Sequence, residues 1–80
     1  MLFRSLASYG IKADQWGEDY LVIFDDGRVV LYWEDRKECT GGMGNSWTWE
    51  RFLEQHGASE EQGYKEVAAR LREFMHKSDE

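Results

Sequence analysis

The stretch Glu18–Asp35, EDYLVIFDDGRVVLYWED, decides how this chain folds. Tyr20–Phe24 and Val29–Trp33 are rich in β-branched and aromatic residues, and Asp25-Asp26-Gly27-Arg28 stands between them. That pattern reads as an antiparallel hairpin over about residues 19–34. Two turns compete. A two-residue type I′ loop at Asp26-Gly27 pairs Phe24 with Val29. A type I turn with Gly27 as the left-handed residue of a G1 bulge pairs Phe24 with Arg28. A slip of one residue exchanges the faces, so the turn sets what the sheet buries. The hydrophobic pattern favours the bulge. It puts Leu21, Ile23, Val29, Leu31 and Trp33 on one face, which reads as the core face. The other face takes Glu18, Tyr20, Val22, Phe24, Arg28, Val30, Tyr32 and Glu34, apolar in the centre and edged with charge. This second face is either covered by another element or open to a partner, and partial cover is the expectation.

Outside the hairpin the signals are shorter. Leu2, Phe3, Leu6 and Tyr9 have the spacing of a short helix over residues 2–9, closed by Gly10, with a strand as the alternative. Residues 10–17 read as a loop, with Trp16 as a lid on the core and an exposed binding tryptophan as the alternative. Residues 36–46, RKECTGGMGNS, read as a glycine-rich connection in which Arg36–Thr40 can add a third strand. Its GGMG lacks the Lys-Ser/Thr of a phosphate loop and reads as a turn. A middle helix is predicted over about 48–56, with Thr48 as N-cap, Trp47 stapled onto Phe52, and Gly57 beyond the end. Ser59 and Gln62 form a capping box, and Tyr64, Val67, Ala68, Leu71, Phe74 and Met75 follow at helical spacing. This predicts a C-terminal helix over about 60–77, with the pairs Glu61–Lys65, Glu66–Arg70 and Glu73–Lys77 supporting it. Residues 78–80 are expected to fray. The expected fold is α+β: a two- to three-stranded antiparallel sheet packed with three helices in one domain, residues 1–80.

A chain of 80 residues has a small core, and four Trp, four Tyr and four Phe supply much of what it can bury. The one cysteine, Cys39, excludes an internal disulfide. No run is long enough to span a bilayer and the N-terminus has no continuous apolar region, so a cytoplasmic protein is expected. The net charge of −6 opposes direct nucleic-acid binding, where basic side chains must neutralise phosphates. It suits a partner with a basic surface. The acids are unevenly placed. Residues 12–35 hold seven acids and two bases, whereas residues 36–80 hold nine and seven. The last helix can pair its own charges; the hairpin cannot.

Catalytic and cofactor chemistry find no support. His56, His76 and Cys39 are scattered and match no zinc spacing. Cys39 and His56 can meet only through the fold, and nothing local activates either as a nucleophile. Asp25 and Asp26 are accounted for by turn chemistry, and strand-end acids are ordinarily solvated. The expectation is therefore no catalytic, metal or cofactor site. It is instead a protein–protein surface built from Glu18, Asp19, Tyr20, Asp25, Asp26, Tyr32, Glu34 and Asp35, on a monomer or weak homodimer.

In size, acidity, cysteine poverty and layout of a small sheet with helices, the whole chain resembles the small phage-encoded anti-CRISPR inhibitors. The resemblance rests on no single motif. It implies an inhibitory and non-enzymatic mode, in a host cytoplasm, against a basic nucleic-acid-binding surface of a CRISPR effector such as a Cascade-type complex. A second likeness is to the MbtH-like activators of adenylation enzymes, carried by the order of Leu31-Tyr32-Trp33 and Trp47. It implies a small regulatory adaptor. A homo-oligomer packing the Tyr20/Val22/Val30/Tyr32 face is the third possibility.

Overall fold

The structure is a computed structural model and describes residues 4–78, with side chains up to His76. Four strands come first: β1 (Ser5–Asp14), β2 (Gly17–Phe24), β3 (Arg28–Asp35) and β4 (Thr40–Thr48). Two helices follow: α1 (Trp49–His56) and α2 (Tyr64–Ser78). The strands form one antiparallel meander in the order β1-β2-β3-β4. The fold is α+β as expected, but with four strands and two helices among the described residues.

The hairpin takes the bulge register. Ile23 pairs with Val29, Val22 with Val30, Leu21 with Leu31 and Tyr20 with Tyr32. Gly27 has φ +90° and donates its N–H to the Phe24 carbonyl at 3.3 Å. A left-handed residue at that point is cheap only for glycine. The two faces therefore separate as the apolar pattern requires. Leu21, Ile23 and Val29 are fully buried with Phe52, Val67, Ala68 and Leu71 in one cluster. Half-buried Ala7, Tyr9, Ile11, Leu31, Trp47, Trp49, Leu53, Tyr64 and Phe74 surround it. Both helices lie on this face, α1 against β3 and β4 and α2 against β1 and β2.

α1 begins where it is predicted. The Thr48 hydroxyl accepts the Arg51 N–H at 3.1 Å, and Trp47 meets Phe52 edge-on at 5.3 Å between centroids. Phe52 also stacks on Tyr64 of α2 at 5.9 Å, joining both helices to the sheet through one buried ring. Gly57 is still right-handed rather than a left-handed stop, and Arg72 donates to its carbonyl at 2.8 Å.

Several expectations need correction. Residues 5–9 belong to β1 rather than to a helix, because Ala7 and Tyr9 pair with Ile23 and Leu21 and bury on the sheet. Arg4 is not helical either, and residues 2 and 3 of the predicted N-terminal helix lie outside the described residues. Residues 10–14 continue that strand, and only Gln15 and Trp16 form a turn. Arg36–Cys39 turn the chain, so they are not a third strand, and the glycine-rich segment after them is the edge strand β4. Gly44 of β4 makes room for a β3 side chain, since a Cβ there would crowd Leu31 at 3.3 Å, whereas one at Gly42 would meet the Trp33 indole in ordinary contact at 3.4 Å.

α2 begins at Tyr64 rather than at residue 60. Gly63 has φ +89°, which no right-handed helix continues through. It sits so close to β1 that a Cβ would meet the Gly10 carbonyl at 2.8 Å. The Ser59 hydroxyl accepts from Glu61 N–H at 3.1 Å, closing a local turn instead of a capping box. Glu61 thus lies before the helix, and Arg70 pairs forward with Glu73 at 2.8 Å instead of back with Glu66. The Lys77 side chain, and residues 79–80 of the expected frayed end, lie outside the described set, whereas the backbone of Ser78 is helical.

The helix layer hangs on Phe52. Phe52→Ala should cost about 3–5 kcal/mol. Urea unfolding should show this as a lowered midpoint with an unchanged slope.

Candidate protein-interaction surface

The register that buries Leu21 and Ile23 also stacks the acids at one end of the sheet. Glu18 stands directly across from Glu34, Asp19 from Trp33, and Gly17 from Asp35. Direct opposition of like charges on neighbouring strands is destabilising. The compensation available is small. Arg36 reaches Glu18 at 4.0 Å, with both side chains substantially exposed. Among the described residues neither Asp19 nor Glu34 forms an ion pair or a side-chain hydrogen bond.

Two turns shape this end. In the β1–β2 turn, Asp14 Oδ1 accepts the N–H groups of Trp16 and Gly17 at 2.8 and 3.0 Å. In the β3–β4 turn, Asp35 Oδ1 accepts those of Lys37 and Glu38 at 3.0 and 3.2 Å. The turns are tied together. Arg36 N–H donates to the Trp16 carbonyl at 2.6 Å, and its guanidinium donates to the Asp14 carbonyl at 2.8 Å. Lys37 Nζ lies 5.8 Å from the centre of the Trp16 ring. A Cβ at Gly17 would collide with the Glu34 carbonyl oxygen, so β2 and β3 approach closely here.

Between these turns is a shallow cleft of about 270 Å³, lined by Lys12, Asp14, Trp16, Gly17, Glu18, Asp19, Trp33, Glu34 and Asp35. The lining includes five acidic residues and one lysine, with Glu18 and Glu34 alternating onto one face of the sheet and Asp19 and Trp33 onto the other. Trp16 is 55% exposed and Trp33 39%. Trp16 is therefore no core lid. Trp33 is on the core side by alternation, but it is exposed beside this cleft. Neither indole is among the residues singled out from sequence as partner-binding. Trp16 had a legible cue, since a tryptophan beside Gly17 in a two-residue turn has little to pack against.

On the opposite face Tyr20 and Tyr32 stack at 5.6 Å, with their planes 19° apart. Burial, followed by Glu34, Glu18 and Tyr32, pushes the Tyr20 phenol above its ordinary value of 10.0. Met43 of β4 pairs with Tyr32 and is 57% exposed. Val22 and Val30 are buried beside them. Neither helix lies on this face, as both pack on the other. Among the described residues, then, the expected partial cover is not provided by a helix.

Six of the eight residues expected to bind a partner gather at this end: Glu18, Asp19, Tyr20, Tyr32, Glu34 and Asp35. Asp25 and Asp26 do not. They lie at the far end of the hairpin, roughly 23 Å from Glu18 at ~3.3 Å per residue. Asp25 accepts the Arg4 N–H at 2.8 Å, and Asp26 pairs with Arg28 at 2.7 Å. Both serve the turn.

Cys39 is exposed at φ 54°, and its thiol points to the Arg36 carbonyl at 3.7 Å. His56 packs among the rings of Trp47, Phe52 and Tyr64. Among the described residues no group of three or more His, Cys, Asp or Glu side chains is placed to hold a metal ion. No described helix is long and apolar enough to cross a membrane. No protein family, curated protein or solved structure matches this chain.

The Tyr20 shift comes first from burial and then from the neighbouring carboxylates, so removing one carboxylate isolates the charge contribution. Its phenol should ionise above pH 10. A phenol with a raised value in the folded state contributes stability that is complete below the unfolded value and lost as pH rises through the folded one. In a ¹³C-tyrosine NMR titration, Glu34→Gln should bring the Tyr20 midpoint down. An unmoved midpoint would mean the carboxylate does not act on this face.

Proposed function

We propose that this protein is a small non-enzymatic interaction module whose acidic sheet end occupies a basic surface of a partner protein. One observation carries the reading: Glu18 and Glu34 are held opposite each other in the sheet, with Asp19 and Asp35 adjacent in the strands. Four carboxylates fixed on two paired strands can compete with a phosphate backbone for lysine and arginine side chains. They also steer a basic partner toward the encounter. The exposed side chains of Trp16, Trp33 and Met43, with half-buried Tyr20 and Tyr32, add apolar contact area of the kind interfaces concentrate.

The partner class follows from this chemistry. A surface that binds nucleic acid is basic by necessity. Together with the chain's resemblance to anti-CRISPR inhibitors, this supports inhibition of a CRISPR effector, with a Cascade-type complex as the target. The inhibitor acts by covering the nucleic-acid path, so it needs neither cofactor nor metal.

Expression in a host with an active Cascade-type system should restore plaque formation by a targeted phage by several orders of magnitude. Glu18→Lys with Glu34→Lys should remove that protection while the circular dichroism spectrum and thermal transition remain those of a folded protein. Full protection by the folded double variant would contradict the assignment of this surface.

A further inference from the structure

The cleft between the two turns is more specific than a charged patch. Two exposed tryptophans line it together with Asp19, which shares the Trp33 face, and the chain places its own cations at its edge. Lys37 lies over one side of Trp16, and the Arg36 guanidinium bonds to the Asp14 carbonyl. The site thus already accepts basic side chains in the two ways such groups are bound, over an aromatic ring and against oxygen acceptors.

We propose that this cleft seats one arginine side chain of the partner, its guanidinium against the Trp16 and Trp33 indoles and its N–H groups on Asp19. The proposal rests on the interaction reading above and names its anchor. The volume of about 270 Å³ suits one long side chain. A helix, ~10–12 Å across with its side chains, is too wide for it. Asp19 lines the cleft and forms no ion pair or side-chain hydrogen bond among the described residues. The one base in the lining, Lys12, stands across the β1–β2 ladder from it. Arginine is preferred to lysine for a physical reason. Its planar guanidinium stacks on an indole, is weakly hydrated, and offers two parallel donors to a carboxylate. An ammonium group must surrender a tight hydration shell to enter the same space.

The probe is the peptide acetyl-Gly-Gly-Arg-Gly-Gly-amide, with its lysine counterpart as control, titrated into ¹⁵N-labelled full-length protein. The indole N–H signals of Trp16 and Trp33 should move together and saturate, while those of Trp47 and Trp49 stay in place. The lysine peptide should bind about threefold more weakly or worse. Trp33→Ala should abolish saturation at Trp16. Asp19→Asn, a substitution at a strand position outside the core, should weaken binding several-fold and answers the question if Trp33→Ala fails to fold. Equal response to both peptides, or no saturation at Trp16 and Trp33, would overturn the proposal. The titration contains no effector complex, so phage protection can fail while the arginine seat stands. Conversely, loss of the seat with protection intact removes the anchor and leaves the function.

Discussion

Everything in this molecule depends on the register between β2 and β3. The three-residue turn Asp25-Asp26-Gly27 sets it, and Gly27 makes that turn affordable by taking positive φ. Shifted by one residue, β3 would turn over relative to β2, so Val29 and Leu31 would no longer share a face with Leu21 and Ile23 and the single apolar face under the helices would be broken. The same register places Glu18 against Glu34 at the other end. Core and acidic surface are thus two consequences of one pairing. The fold cannot relieve the repulsion by sliding the strands, because sliding would empty the core.

The hairpin was legible because its two faces differ so sharply in apolar content that only one register separates them. α1 was legible for a similar reason, since Thr48, Trp47 and Phe52 satisfy cap and staple together. The failures share a physical origin. β1 looked helical because Leu6 and Tyr9 stand three apart, yet it is a bulged edge strand whose alternation is broken at Leu6 and Ile11. β4 looked like a loop because glycine has poor strand propensity. Gly44 answers to Leu31 and Gly41 to the Trp33 carbonyl across the ladder, a long-range demand that local pattern does not carry. The helix start at residue 60 failed likewise, because close approach of Gly63 to Gly10 overrides the Ser59 signal.

The surface was legible in its charge and not in its shape. Counting acids locates Glu18, Asp19, Glu34 and Asp35, and the pairing brings them together. Counting cannot separate them from Asp25 and Asp26, which only a three-dimensional arrangement puts at the opposite end with Arg4 and Arg28 as partners. Nor does it reveal Trp16 and Trp33 as neighbours of one cleft, since that requires the β1–β2 and β3–β4 turns to lie side by side. Arg36 and Lys37 hold those turns together and partly offset the acids. The arrangement is therefore stable enough to fold and still rich in carboxylate.

The central claim is that opposed carboxylates are kept on this sheet at a cost to its stability. A double-mutant cycle on Glu18→Gln and Glu34→Gln, followed by urea unfolding at low ionic strength, tests it most directly. Each single change should stabilise the fold by about 0.2–1 kcal/mol, and the double change by less than the sum of the two. If either single change destabilises the protein, or the pair shows no coupling, the carboxylates are not in conflict and the account fails.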